Sequence, residues 1–152
     1  MFFEDFEVGA IFTTTRRTIT EADVMTFAGL SGDWNPLHVD REFARETPFG
    51  EPIAHGLLVL SVASGLGVQT GIFTGTNLAF LGLEDWRFLA PVLFGDTIHM
   101  ESTVVETRRT SKRDRGVVRI QQEIKNQRGE VVQKGIFASL MAARTLGEEG
   151  VD

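Results

Sequence analysis

Hydrophobic and polar positions along this chain of 152 residues follow two different periods. Between residues 116 and 126, Val118, Ile120, Gln122 and Ile124 alternate with Val117, Arg119, Gln121 and Glu123. A period of two puts one set on each face of a β-strand. Similar β-rich runs cover residues 77–88, 97–109 and 131–144. Turn residues separate them: Pro91 and Gly95-Asp96, then Asp114-Arg115-Gly116, then Gln127-Arg128-Gly129. Connections this short predict hairpins and an antiparallel sheet. An earlier Thr-rich, β-branched run, Ile11 to Ile19, also reads as a strand.

Helical spacing appears elsewhere. Val24, Phe27, Ala28 and Leu30/Ser31 predict a short amphipathic helix over 21–30. Thr20 stands at its N-cap, with Asp23 three residues on in a capping-box position. Asp40 is placed to cap a helical turn over Arg41 to Glu46. The run from Gly56 to about Gly71 is too long for a buried strand and apolar nearly all round. It predicts a helix buried on most sides. One apolar helix against one strongly curved antiparallel sheet is an α+β layer architecture.

Composition narrows the class. A hydrophobic content of 42% with 24% charged residues is that of a globular domain, and this length makes one domain with a sizeable core. No repeat or linker breaks the chain, and the tail 147–152 is expected to fray. With no cysteine, disulfides and thiolate zinc sites are excluded, and the cytoplasm is the default compartment. The acidic start, Met1 to Glu7, lacks the order of a signal peptide, and the longest apolar run is too short to span a bilayer. The net charge of −6 argues against nucleic acid as a general partner.

The candidate chemistry sits in Ser31-Gly32-Asp33-Trp34-Asn35-Pro36-Leu37-His38. Asp33 and His38 are five residues apart. On a helix that spacing turns the second side chain about 140° from the first. On a strand it puts the two on opposite faces. A tight irregular turn lets them converge, and the segment has the residues for one. Gly32 tolerates positive φ, Pro36 drives Asn35 out of the α region, and Asn35 can bond its own backbone. A carboxylate and an imidazole held together can grip one water and pass protons near neutral pH. The metal alternative is weaker. Asp33-x-Asn35 begins like a calcium loop, but Leu37, His38 and Ala44 stand where a ligand, a glycine and a glutamate are needed. His38, His55 and His99 lack zinc-protease spacing.

A second motif follows, Ile53-Ala54-His55-Gly56, opening the apolar helix. Gly56 at the helix start offers a free backbone N–H and the positive end of the dipole to an oxyanion, or it simply eases a bend. Ser64, two turns in, taken alone reads as a hydroxyl bonded one turn back. His55 reads as a structural residue orienting the turn before the helix, and His99 as a packed or surface residue of a strand.

The Gly-Asp-x-Asn-Pro-x-His turn followed by Ile-Ala-His-Gly resembles the MaoC-like dehydratases, which include the (R)-specific enoyl-CoA hydratases. Phe27 to Leu30 ahead of the turn and Phe94 to Ile98 behind it extend the resemblance over nearly the whole chain. It implies a hot-dog fold, a curved antiparallel sheet wrapped around a long central helix, as a single domain over 1–152. It implies hydration of trans-2-enoyl-CoA to (R)-3-hydroxyacyl-CoA, or the reverse, with Asp33 and His38 as the catalytic pair. Gly56, Ser64 and Asn35 then take oxyanion or substrate-binding roles, with Ser61 as rival to Ser64. No metal or redox cofactor is implied, only a CoA thioester as substrate, and at least a homodimer is expected. Two rivals remain open: a hot-dog thioesterase and a non-catalytic acyl-CoA-binding subunit. The basic run Arg108 to Arg115 reads as a solvated hairpin tip or, on the sharper view, a patch for CoA phosphates.

Overall fold

The structure, a computed structural model, describes residues 1–144. The tail expected to fray lies outside the described residues. Two short strands come first, β1 (Ile11–Thr13) and β2 (Arg17–Thr18), then three helices, α1 (Glu21–Ser31), α2 (Pro36–Val39) and α3 (Arg41–Arg45). The long helix α4 (Gly56–Gln69) leads into four long strands, β3 (Asn77–Phe88), β4 (Thr97–Arg109), β5 (Arg115–Lys125) and β6 (Val131–Ala142). The sheet runs β1-β4-β5-β6-β3, all antiparallel, with β2 also on β4.

Local sequence accounts for most of these elements. β5 carries the alternation through, with Val118, Ile120, Gln122 and Ile124 all buried and their neighbours facing out. Thr20 and Asp23 cap α1 reciprocally, as a capping box does. Asp40 accepts from the amides of Glu42 and Phe43 at the start of α3.

Two expectations need correction. The strand expected over 11–19 is broken into β1 and β2. Between them Thr14 turns its hydroxyl to the Met100 amide, accepting at 2.9 Å, so a side chain takes over part of the ladder. The long helix is not buried on most sides. Leu58, Val59, Val62, Ala63 and Leu66 pack on Ile98, Met100, Ile124 and Val132 of the sheet, each of the leucines and valines contributing on the order of 1.5–3 kcal/mol. The opposite stripe, Leu57, Ser61, Ser64, Gly65 and Val68, is exposed. One curved sheet can cover only one side of a helix.

Candidate active site

The site begins where α1 ends. Gly32 takes the left-handed conformation (φ 77°) and its N–H bonds the Ala28 carbonyl at 2.9 Å, so the chain leaves the helix abruptly. Asp33 follows and accepts the Asn35 amide on Oδ1 at 3.2 Å. Asn35 in turn accepts the Leu37 amide at 3.0 Å, capping α2, with Pro36 in the first helical position. The expected irregular turn is therefore a turn plus one helical turn. Its four-residue helix carries His38 back toward Asp33. Asn35 Oδ1 is engaged in the cap.

Both ends of this segment are tied to Ile53–His55. His38 Nδ1 lies 2.7 Å from the Ile53 carbonyl, and His55 Nε2 lies 2.9 Å from the Asp33 carbonyl. A carbonyl only accepts, so each of these nitrogens carries its ring's hydrogen. That leaves the lone pair of His38 on Nε2. The rings of His38 and His55 stack, centroids 3.9 Å apart and tilted 31°. A carboxylate oxygen of Asp33 and one ring nitrogen from each histidine lie within 4.8 Å of one another.

The trio has the ligand types and the closeness that a metal ion could use, and one nitrogen of each ring is already engaged with a carbonyl.

Beside the trio, α4 begins. His55 is its N-cap residue, and no acidic side chain occupies the first turn. Among the described residues the Gly56 N–H makes no hydrogen bond. It stands at the positive end of a helix of 14 residues. Gly56 and His38 line one cleft of about 340 Å³, with Phe49, Ile53, Phe88 and Gln133. A Cβ at Gly56 would sit 2.7 Å from the Phe88 ring, so only glycine leaves this wall clear.

Gln133 was not singled out by sequence reasoning. Its Nε2 donates to the Gly56 carbonyl at 2.9 Å and its Oε1 accepts from Trp86 Nε1 at 3.1 Å. A glutamine far along the chain from its partner gives no local signal. Its inward place on β6 follows only from the strand's register.

The remaining candidates lie elsewhere. Ser64 lines a different groove, about 310 Å³, with Leu60, Ser61, Phe80, Leu83 and Phe137, and Ser61 bonds the Leu57 carbonyl at 2.7 Å. His99 is part-buried on β4, with Nε2 3.7 Å from Glu101. The basic hairpin caps the far end of the sheet. Eight residue steps along β6 take the chain from Gln133 to Met141, which pairs with Gly116, or about 27 Å. There Arg109 pairs with Glu4, and Arg115 with Asp114.

An antiparallel sheet curled over one helix, with its cleft at the helix N-terminus, defines a hot-dog-fold protein. Within that class, the chain belongs to the MaoC-like domain family, whose model matches residues 6–127. It is 42% identical over 114 residues to Protein MaoC of Klebsiella aerogenes, covering 75% of this chain but only 33% of that protein. It is 39% identical to the (R)-specific enoyl-CoA hydratase of Aeromonas caviae, over 69% of this chain and 75% of the other. A solved Archaeoglobus structure, described as a monoamine oxidase regulatory protein, superposes with a TM-score of 0.88 at 42% identity, covering 95% of this chain and 96% of that one.

Proposed function

We propose that this protein is a hydro-lyase that adds water to a trans-2-enoyl-CoA, giving the (R)-3-hydroxyacyl-CoA, or catalyses the reverse reaction, as a cytoplasmic homo-oligomer. The observation carrying this reading is the closeness of Asp33 and His38, a carboxylate oxygen and a ring nitrogen within 4.8 Å, beside a cleft that His38 and Gly56 both line and where the Gly56 N–H is unbonded among the described residues. The similarity to the Aeromonas hydratase supports the choice of reaction.

In this reading Asp33 and His38 hold a water between them. His38 Nε2 takes its proton as the oxygen bonds to C3. The C2–C3 π electrons move toward the thioester, whose oxygen gains enolate charge and is met by the Gly56 N–H. The proton then passes to C2, so C2 gains hydrogen and C3 gains hydroxyl. Losing one such oxyanion donor typically costs about 3 kcal/mol of barrier. No metal or redox group is needed for any of these steps.

The test is a spectrophotometric screen of purified protein with enoyl-CoA substrates, crotonyl-CoA first, recording both loss of the conjugated thioester and release of free thiol. Loss of conjugation without thiol release is expected. Thiol release would favour the thioesterase, although α4 carries no Asp or Glu to serve one. Binding without turnover across the series would favour a non-catalytic subunit.

A further inference from the structure

We propose that His55 is a positioning residue that holds both members of the acid/base pair at once; this rests on reading the cleft as a hydratase site. Each dyad residue has one tie across the chain to the segment 53–55. Among the described residues, Asp33 is otherwise held only from within its own turn, by the Ser31 hydroxyl and the Asn35 amide, and its one long-range hydrogen bond runs from His55 Nε2 to its carbonyl, across 22 residues. The same imidazole forms the surface on which the His38 ring lies. His55 is also the N-cap of α4, so its backbone sets the direction of the Gly56 N–H. The segment is itself anchored, through the Ala54 amide on the Val92 carbonyl at 2.8 Å and the Ile53–Leu93 bridge.

Packing alone does not account for an imidazole here. His55 is 2% exposed, with Phe27 4.9 Å away against it. Its Nδ1 is buried without a partner among the described residues, which destabilises the folded protein. A phenyl ring would fill the space without that penalty. What only the imidazole supplies is the Nε2–H aimed at Asp33.

The variants His55→Phe and His55→Gln separate these roles. Phenylalanine keeps the ring and loses the donor; glutamine places an N–H at the same reach and loses the ring. Displacing a catalytic group by an ångström can cost about a hundredfold, and that is the fall in kcat expected for His55→Phe. KM should move by less than about threefold, because the lost contact acts on the reacting groups rather than on substrate binding. His55→Gln should recover at least about tenfold of the lost kcat, on the same scale. Wild-type kcat in His55→Phe, at a matched melting temperature, would overturn the proposal.

A second readout needs no turnover. The Asp33 carbonyl and the Trp34 amide share one peptide group, so NMR of the Asp33 carbonyl carbon and the Trp34 amide nitrogen reports the hydrogen bond directly. These signals should move in His55→Phe and hold in His55→Gln. Unchanged signals in both variants overturn the positioning role even if the wild type hydrates nothing. Absence of hydration, with the NMR pattern as expected, would sink the reaction and leave the positioning of Asp33 standing.

Discussion

Asp33 is held through its carbonyl and His38 through its Nδ1–H, and their reactive atoms are left free. The carbonyl of Asp33 and the Nδ1–H of His38 carry the long-range bonds, while one carboxylate oxygen and Nε2 remain for a ligand. Asp33→Asn leaves both long-range bonds in place and His38→Ala gives up the one to Ile53, a loss of about 1 kcal/mol that the fold should survive. Asp33→Asn and His38→Ala are each expected to cut hydration at least about a hundredfold, within the usual range of acid–base catalysis, with an unaltered circular dichroism spectrum. A near-wild-type rate in either would remove that residue from the mechanism. Incubation with EDTA should leave the rate unchanged, since one nitrogen of each ring is already engaged with a carbonyl. Inactivation reversed by a divalent cation would contradict this. Asp33, His38 and Gly56 could be singled out as candidates from sequence because turn, helix start and chemistry lie within two short motifs. His55 was read only as a structural histidine and Gln133 not at all, because their decisive partners lie 22 and 77 residues away.

The elements were legible where one local rule sufficed. The period-two pattern of β5 and the capping box of α1 each depend on a few neighbouring residues. The break between β1 and β2 was not, because it depends on Thr14 meeting Met100 of a strand formed much later. Within the sheet, β5 contains one position that alternation alone does not explain. Gln122 is fully buried; its Oε1 accepts from Ser102 of β4, and its Nε2 has no partner among the described residues. Removing one member should strand the other. Gln122→Leu alone is expected to lower stability by about 1–2 kcal/mol, because the Ser102 hydroxyl loses its acceptor. The double variant Ser102→Ala/Gln122→Leu should return to wild-type stability or above, since both polar groups then leave the core. Urea denaturation of the three variants measures this, and a double variant as unstable as the single would argue that Gln122 has a further partner.

At the scale of the molecule, apolar surface is left uncovered on one side. α4 exposes Leu57 at 60% and Val68 at 54%, and β3 exposes Leu78, Phe80, Leu81, Leu83 and Phe88, each above 40%. Among the described residues β3 is also the end strand of the sheet, paired only with β6. An edge strand of 12 residues with apolar neighbours is a template for pairing with another strand. The sequence pointed to a helix buried on most sides; the structure covers one side, and a second copy of the chain would cover the other. A stable interface needs roughly 800 Å² from each partner, and the uncovered stripe of α4 together with the edge of β3 is where it should form. Light scattering on the purified protein is expected to give a mass at least twice that of one chain. A lysine at Leu81 or Val68 would place a charge in that interface, so Leu81→Lys and Val68→Lys should shift the mass toward one chain while the helical signal persists. A wild-type protein that stays monomeric at tens of micromolar would refute self-association. A multimer unaffected by either lysine would instead place the interface on another surface.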